Sequence, residues 1–361
     1  MAPVHDRPLS PKEIVRPAVR TIMRLRKVKL LSTLTLCAVL FVAVQGAGDS
    51  EWKVQIKIKL PSRARTLAYS ADGSRIAVGH SDGRVSIWNV RSGDLVKELN
   101  AHSKEVNSVQ FILNDGRLLT IGDDDRARLW STSEWNEAAA IEGVAFSGGV
   151  SPDGRWLAAQ AGDQSIWLWD LSSLARVQQL TQRGKGGTQN MSFTADGKYV
   201  VTAYNGPLLI NVMTKESVSL VSSGDKKTKV KVEQQGNQAS ISLGSLQDDD
   251  APTHRAIPST SGSLVALGRG WYGENPFVDV WDLAQMKRIG RYKTKNSGTL
   301  TSFSFDNSLL AVEGSEKVTI WRISNGKQVA SVRGNGIMQF SPKSNELAVT
   351  DDDSLIIYVP K

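Results

Sequence analysis

Three consecutive carboxylates, Asp123, Asp124 and Asp125, lie between an apolar run and Trp130. Such a cluster could bind a divalent cation or perform acid–base chemistry. Neither use finds support elsewhere, because the chain has only four histidines, lacks GxSxG and GxxxxGK[ST] motifs, and spaces its oxygen ligands unlike a calcium loop. The sequence predicts no catalytic residue, metal ligand or cofactor, so the acids require another explanation.

A glycine-rich stretch at residues 268–273 matches the GxGxxG pattern of dinucleotide sites. Such a site needs a helix after the glycines, so that the helix N-terminus faces the phosphates. Here the strand-like run VDVWDL follows instead, which argues against a nucleotide site. The stretch is interpreted as an extended turn, and its Arg269, Trp271 and Tyr272 are either ordinary turn residues or candidate contacts to a protein partner.

An internal repeat supplies the elements that position these residues. Seven alternating runs carry an aromatic residue or its substitute at one slot, namely Trp88, Trp130, Trp169, Asn211, Trp281, Trp321 and Tyr358. The intervals between slots are 42, 39, 42, 70, 40 and 37 residues. A turn rich in Asp, Gly, Asn, Ser or Pro precedes each slot by 15, 16 or, once, 20 residues. Short antiparallel strands at a repeat near 40 residues indicate a β-propeller of four-stranded blades.

The slots also carry a family signature. Trp169-Asp170 and Trp281-Asp282 are literal Trp-Asp pairs, and Trp88-Asn89, Trp130-Ser131 and Trp321-Arg322 are degenerate ones. The chain therefore resembles the WD-repeat β-propeller family over residues 51–361. The resemblance implies an all-β, seven-bladed propeller of four-stranded antiparallel blades. It also implies closure: the last repeat has only three strands, and the N-terminal strand at 51–61 is expected to complete its blade.

The resemblance gives the middle aspartate a structural role. In this family a His, a Ser or Thr, an Asp and a Trp form a hydrogen-bonded tetrad, and the second repeat matches with His102, Thr120, Asp124 and Trp130. Such a network stabilises when every member is satisfied. Asp82, Asp163 and Asp352 occupy the equivalent acidic position in other repeats, but the Ser or Thr is replaced there and no matching His exists.

The turn that holds these acids recurs on one face of the predicted propeller. Six candidate partner-binding acids are expected around the same mouth, namely Asp82, Asp123, Asp125, Asp163, Asp351 and Asp353. The resulting acidic rim is either simply solvated or used by a cation or by a basic segment of a partner. Trp271, Tyr272 and Arg269 are expected on the same face.

The interval of 70 residues indicates an insertion at 223–252. Residues 226–244 alternate on both sides of Gly236-Asn237, which predicts a protruding hairpin.

The basic charge is concentrated at the start of the chain. Formal net charge is +8, yet residues 1–30 alone carry eight Lys or Arg against two acids. The remainder is nearly neutral, which argues against a nucleic-acid partner. Residues 30–48 are uncharged, so residues 1–48 are interpreted as a basic leader followed by either a signal peptide, with Met23 as a possible true start, or a membrane anchor. Both readings place a propeller at 49–361 outside the cytoplasm, periplasmic, secreted or anchored.

These features predict a non-enzymatic, monomeric protein-interaction scaffold outside the cytoplasm, whose partners the sequence does not identify. Two alternatives stay open. One is a propeller enzyme that uses the central channel, and the other is an envelope sensor anchored through residues 30–48.

Overall fold

The computed structural model describes residues 52–181, 191–203, 208–220, 230–235, 238–243, 253–259, 261–269, 276–294 and 300–361. The predicted leader and apolar segment at residues 1–48 lie outside this part of the chain.

Every regular element in the described residues is a β-strand. In chain order the strands are β1 (Trp52–Lys59), β2 (Ala64–Tyr69), β3 (Arg75–His80), β4 (Arg84–Asn89), β5 (Leu95–Asn100), β6 (Val106–Ile112), β7 (Arg117–Gly122), β8 (Arg126–Ser131), β9 (Glu137–Glu142), β10 (Val144–Val150), β11 (Trp156–Ala161), β12 (Ile166–Asp170), β13 (Ala175–Gln179), β14 (Met191–Phe193), β15 (Tyr199–Thr202), β16 (Leu208–Asn211), β17 (Ser217–Leu220), β18 (Val230–Gln235), β19 (Gln238–Leu243), β20 (Thr253–Pro258), β21 (Leu264–Arg269), β22 (Phe277–Asp282), β23 (Lys287–Lys293), β24 (Thr301–Phe303), β25 (Leu309–Val312), β26 (Lys317–Arg322), β27 (Lys327–Arg333), β28 (Met338–Phe340), β29 (Leu347–Asp351) and β30 (Ser354–Pro360).

The strands form seven sheets, which are the blades of a propeller. Blade one is β2–β5, blade two β6–β9, blade three β10–β13, blade four β14–β19, blade five β20–β23, blade six β24–β27, and blade seven β28–β30 with β1. The first strands of neighbouring blades contact one another, as β2 does with β6 and with β28. The predicted all-β, seven-bladed fold is confirmed.

Blade seven combines strands from the two ends of the propeller. Its order is β1-β30-β29-β28, and β1 pairs antiparallel with β30 from Trp52 opposite Pro360 to Lys59 opposite Ser354. The predicted closure by the strand at 51–61 is confirmed. Because β1 pairs with β30, a strand that precedes blade one completes blade seven and closes the ring between the first and last blades.

The core is divided among the blade interfaces. Seven buried apolar clusters occur in the described residues, and each joins two neighbouring blades. The cluster between blades seven and one, for example, contains Ile58 from β1, Ile76 from β3 and Leu355 from β30. A single four-stranded blade has two apolar faces, so it can bury both only by packing between neighbours.

The predicted turns join the first and second strands of the blades. In blade one Asp72 accepts hydrogen bonds from the Ser70 hydroxyl and the Ser74 amide, at 2.6 and 2.9 Å. Gly73 follows with a φ of +74°, a left-handed conformation that glycine adopts without steric cost. Hydrogen bonds from Ser70 and Ser74 lower the pKa of Asp72 to about 2. Asp72 therefore stabilises its own turn through hydrogen bonds and is not placed to act as a catalytic group.

Blade four departs from the four-stranded prediction. Strands β18 and β19 pair antiparallel, with Gln235 opposite Gln238, and form the hairpin predicted within 226–244. Strand β19 also pairs with β17, and this pairing is parallel. The insertion therefore adds two strands to the outer edge of the blade and makes it a six-stranded sheet.

Candidate functional site

The four residues of the predicted tetrad are linked by a continuous series of hydrogen bonds. Trp130 Nε1 donates to Thr120 Oγ1 at 3.0 Å, and His102 Nε2 lies 2.9 Å from the same hydroxyl. His102 Nδ1 lies 2.8 Å from Asp124 Oδ1. The acid also accepts from Arg128 Nη1 at 3.0 Å and from the Ser103 amide at 3.3 Å. The middle aspartate of the triplet, Asp124, thus ties the segment that precedes blade two to the turn between β7 and β8.

The electrostatics of the tetrad favour a neutral imidazole. With Nδ1 donating to Asp124, Nε2 accepts from the Thr120 hydroxyl, and a second proton on Nε2 would break that bond. Burial lowers the pKa of His102, against the raising effect of Asp124. Burial alone would raise the pKa of Asp124, but its bonds to His102 and Arg128 lower it. The His102 side chain has no exposed surface, so this network holds the blade rather than meeting a substrate.

Blade one contains a second relay that the sequence analysis missed. Trp88 Nε1 donates to Ser86 Oγ at 2.8 Å, and His80 Nε2 lies 2.7 Å from the same hydroxyl. His80 Nδ1 lies 3.0 Å from the backbone oxygen of Ser62, which replaces the carboxylate. Burial lowers the pKa of His80. The order of tryptophan, hydroxyl, imidazole and acceptor is that of blade two, built from different positions.

A sequence signal for this variant exists. The hydroxyl stands two residues before the slot tryptophan on the same strand, and the same bond recurs in blade six from Trp321 to Thr319 at 3.0 Å. Trp167, two residues before the slot of blade three, makes a similar bond to Ser165 at 2.7 Å. The predicted loss of the network outside blade two was therefore too broad. In blades one and six the hydroxyl that bonds to the slot tryptophan thus lies on the third strand instead of the second.

The predicted acidic rim is largely engaged within the protein. Asp82 is exposed and pairs with Arg84 at 2.7 Å, and Asp123 accepts from the side-chain amide of Asn107. Asp163 accepts from the Ser165 amide at 3.0 Å. Asp125 and Asp353 are exposed in the equivalent turns. Burial opposes ionisation of Asp82, but the hydrogen bonds from Arg84 outweigh it and lower its pKa to about 2.

Two candidate partner-binding residues are not on an exposed surface. Asp351 ends strand β29, is 7% exposed and pairs with Arg333 at 2.8 Å. Arg269 is 1% exposed because β21 continues through it, and its Nε lies 3.6 Å from the fully buried carboxylate of Asp279. Burial contradicts the prediction that these two side chains contact a partner, since Arg269 is ion-paired inside blade five and Asp351 is covered where it pairs with the exposed Arg333 of blade six. Trp271 and Tyr272 lie outside the described residues.

A cavity of about 610 Å³ opens on the face that carries the turns between second and third strands. Its lining comes from blades one, five, six and seven, and its charged members are Arg63, Arg65, Arg255, Glu313, Asp352 and Asp353. We call this cavity the mouth. The Nε atom of Arg255 is buried and has no hydrogen-bond partner in the described part of the protein.

A smaller cavity of about 190 Å³ continues from the mouth, and we call it the chamber. The two share Arg65, Arg255, Leu300 and Ile337. The rest of the chamber is lined by Thr66, Asn107, Ser108, Ser147, Gly148 and Met191 from the first strands of blades one to four. The chamber therefore lies among the innermost strands, and Arg65 and Arg255 are the charged residues in its lining.

An exposed aromatic residue lies beside the chamber. The pairing of β10 with β11 shifts register between Ala145 and Gly148, so that Phe146 and Ser147 bulge from the strand. Phe146 is 50% exposed and has a φ of +59°, a conformation that costs free energy for a bulky residue. Ser147, the next residue, lines the chamber. A strained aromatic side chain is thus presented to solvent next to the channel.

Two further functional features, a metal-binding group and a membrane-spanning helix, are absent from the described residues. Within them, no group of three or more His, Cys, Asp or Glu side chains is arranged to hold a metal ion. Nor does the described part contain a helix of the length and apolarity that a membrane span requires.

The comparisons with known proteins agree with this architecture. The family model of the WD40 domain of anaphase-promoting complex subunit 4 matches residues 49–114, and that of the WD domain, G-beta repeat, matches residues 137–170. The β-propeller domain of Cps50 (Swd1) from Myceliophteria thermophila superimposes with a TM-score of 0.66 over 86% of this chain and 100% of that one, at 15% identity. This chain is a WD-repeat β-propeller.

Relatives of this WD-repeat propeller have diverse names. Protein tipD of Dictyostelium discoideum is 24% identical over 304 residues, which cover 81% of this chain and 46% of that protein. Autophagy-related protein 16 of Arabidopsis thaliana is 30% identical over 122 residues, covering 31% and 23%. Human pre-mRNA-processing factor 17 is 28% identical over 144 residues, covering 37% and 24%. The match spans less than half of each relative. Propellers of this class generally act as protein-interaction scaffolds.

Proposed function

We propose that this WD-repeat propeller is a non-enzymatic scaffold that binds a protein partner at the mouth of its channel. The observation that carries the proposal is the mouth itself, where charged side chains from four blades converge on an open cavity of about 610 Å³. Polar groups that converge in a concave site typically fix the orientation of a ligand.

The opposite end of the molecule offers a weaker case. A cavity of about 530 Å³ lies among the turns between first and second strands, but two of its polar side chains, Asp115 and Gln110, already accept hydrogen bonds within the protein. Asp115 accepts from the amides of Ala71 and Asp72, at 2.7 and 3.3 Å, and Gln110 Oε1 accepts from the Val150 amide at 3.1 Å. At the mouth, by contrast, Arg255 Nε has no hydrogen-bond partner among the described residues.

Phe146 of blade three, the neighbour of the chamber residue Ser147, is the proposed apolar contact beside the channel. Aromatic side chains that become buried at an interface often dominate its binding energy. Since the left-handed backbone of Phe146 is costly for any residue with a Cβ, Phe146→Gly removes the ring and relieves the strain at once. A loss of binding in this variant would not result from unfolding.

The test is affinity capture from extracts of the source cells, with the wild-type propeller and two variants as bait. Phe146→Gly is expected to lose a partner that the wild type retains. The matched control is Phe305→Ala, because Phe305 is 42% exposed in the turn between β24 and β25, on the opposite face. A partner that Phe146→Gly still captures, or that only Phe305→Ala loses, would refute the proposed surface.

The proposal also places the propeller outside the cytoplasm, either released or anchored. Its support is the basic leader and the uncharged stretch at residues 30–48. Residues 1–48 fused to a phosphatase that is active only after export should give activity. A fusion that begins at Gly48 should not. Equal activity of the two fusions would contradict this location.

A further inference from the structure

We propose that the chamber binds the carboxylate of an acidic side chain, presented by a peptide segment of the partner that enters through the mouth. This inference rests on the proposed function, because it names the chemistry of the partner at the same surface.

The charge of the chamber differs from that of its surroundings. The mouth is balanced, with Arg63, Arg65 and Arg255 against Glu313, Asp352 and Asp353. The chamber retains two of these arginines and none of the acids, and Thr66, Ser108 and Ser147 add hydroxyl groups. A ligand that reaches this depth therefore meets positive charge and hydroxyl donors, which suit an oxyanion.

The main indication of a bound ligand is a guanidinium nitrogen of Arg255 that is unpaired within the part of the chain that the structure describes. Its Nε is buried without a hydrogen-bond partner in the described residues, although a buried cation is costly when unpaired. Burial lowers its pKa, with only partial compensation from Glu313 and with opposition from Arg65. Glu313 in turn accepts from the Leu300 amide at 3.0 Å, and burial raises its pKa. The neutralisation of Arg255 by the protein is incomplete.

Irregularities in the strands place both arginines. The pairing of β20 with β21 shifts register between Thr253 and Arg255, and that of β2 with β3 shifts between Ala64 and Thr66, around Arg65. Such bulges redirect side chains and are frequent beside functional sites. Arg255 also lies opposite Gly268, so no neighbouring side chain occupies the space next to it on that strand.

Arg65 is available to a ligand at low cost. Its Nε pairs with Glu105 Oε2 at 3.0 Å, but the two side chains are 41% and 40% exposed. An exposed pair of this kind contributes little to stability, so a carboxylate in the chamber can replace Glu105. Asn107, by contrast, already donates its side-chain amide to Asp123.

Size and geometry select the ligand. A guanidinium presents a planar fork that matches a carboxylate with two parallel hydrogen bonds. The chamber of about 190 Å³ admits one side chain but no folded segment, whereas the mouth of about 610 Å³ has room for the flanking backbone. A Glu or Asp at the tip of an extended segment fits both. An acidic partner segment is the opposite of the basic segment expected from the acidic rim. Several acids of that rim already have partners within the protein.

The experiment titrates the purified propeller with three acetylated hexapeptide amides and follows binding by NMR. The first is Gly-Gly-Glu-Glu-Gly-Gly, and the others carry two Gln or two phosphoserines in place of Glu. We expect the Glu peptide to bind about tenfold more tightly than the Gln peptide. Equal affinity of these two peptides would overturn the proposal, and so would tighter binding of the phosphoserine peptide, since the group recognised would then be phosphate.

Two arginine variants locate the site. Arg255→Gln should abolish the preference for Glu over Gln while the melting temperature stays equal or rises, because an incompletely paired buried charge is removed. Arg63→Gln, at the exposed edge of the mouth, should change the preference by less than about threefold. A preference that survives in Arg255→Gln would overturn the assignment. If Phe146→Gly loses its partner but no peptide preference exists, the docking surface stands and only carboxylate recognition fails.

Discussion

The imidazole Nε2 of His80 lies 2.7 Å from the hydroxyl oxygen of Ser86, in a buried relay that ends on the backbone oxygen of Ser62. The neighbouring blade ends the same relay on a carboxylate, that of Asp124. The fold thus requires an acceptor for the imidazole N–H, and the chemical class of that acceptor is free to vary. This explains why only one of these two blades needs its aspartate for the purpose.

The first prediction concerns the hydroxyl of blade one. Ser86→Ala leaves both His80 Nε2 and Trp88 Nε1 without their partner, so the free energy of unfolding should fall by about 1–3 kcal/mol. Ser103→Ala, at an exposed position, is the matched control and should stay within about 0.5 kcal/mol of the wild type. Urea denaturation measures both. Indistinguishable midpoints for the two variants would mean that the relay contributes nothing.

The second prediction separates neighbouring acids of the triplet. Asp124→Ala removes the acceptor of His102 and of Arg128, and should lower the free energy of unfolding by about 1–3 kcal/mol. The control must respect the backbone, because Asp125 has a φ of +57° that alanine tolerates poorly. Asp125→Asn keeps a residue suited to this conformation and should change little. Thermal unfolding would disprove the assignment by giving both variants the same melting temperature.

The third prediction is a dependence of stability on pH near neutrality. Burial lowers the pKa of His80 and of His102 below the unfolded value of 6.5. The unfolded chain therefore binds more protons than the folded protein as the pH falls through 6.5, and the free energy of unfolding decreases from there toward the folded pKa values.

The check compares denaturation at about pH 7.5 and about pH 5.5. The double variant His80→Gln, His102→Gln should be less stable at the higher pH and should show a smaller change between the two. The aspartates lie outside this window, because Asp72 and Asp82 have pKa values of about 2 and lose their contribution only in acid. An equal pH slope in the wild type and the double variant would contradict the histidine origin.

The fourth prediction tests the closing strand. Ile58 is 5% exposed and packs in the cluster between blades seven and one, whereas Val54, on the same strand, is 53% exposed. Ile58→Ala should lower the free energy of unfolding by about 2–5 kcal/mol, and Val54→Ala by less than about 0.5 kcal/mol. Chemical denaturation decides between them. A loss for Ile58→Ala as small as that for Val54→Ala would show that β1 does not contribute to the core.

The sequence predicted the fold and the tetrad because both depend on regular spacing. The intervals between slots follow from blades of similar size, and Thr120 and Trp130 are fixed ten residues apart by one hairpin. His80 was missed because the expected imidazole precedes the first strand, whereas this one ends the second strand. The recurrent hydroxyl two residues before a tryptophan would have indicated it.

Arg269 and Arg255 required the three-dimensional arrangement. The Gly residues around Arg269 indicate a turn, but β21 extends through it because Asp279 on the adjacent strand supplies a buried partner. Nothing in the local sequence of Arg255 distinguishes it from a surface residue. Its place at the chamber depends on a register shift and on first strands that lie far away in the sequence.

The pairing of β1 with β30 has a consequence for biosynthesis. A ribosome makes β1 before every other strand of the propeller, yet the partner of β1 is the last strand, so β1 waits unpaired through the whole of translation. An unpaired alternating strand is prone to associate with other chains. Lys53, Lys57 and Lys59 are all exposed on β1 in the finished fold. Until β30 is synthesised, the positive charges of these three lysines would repel a second nascent copy and so reduce aggregation through β1. This protection is no longer needed once β1 pairs with β30.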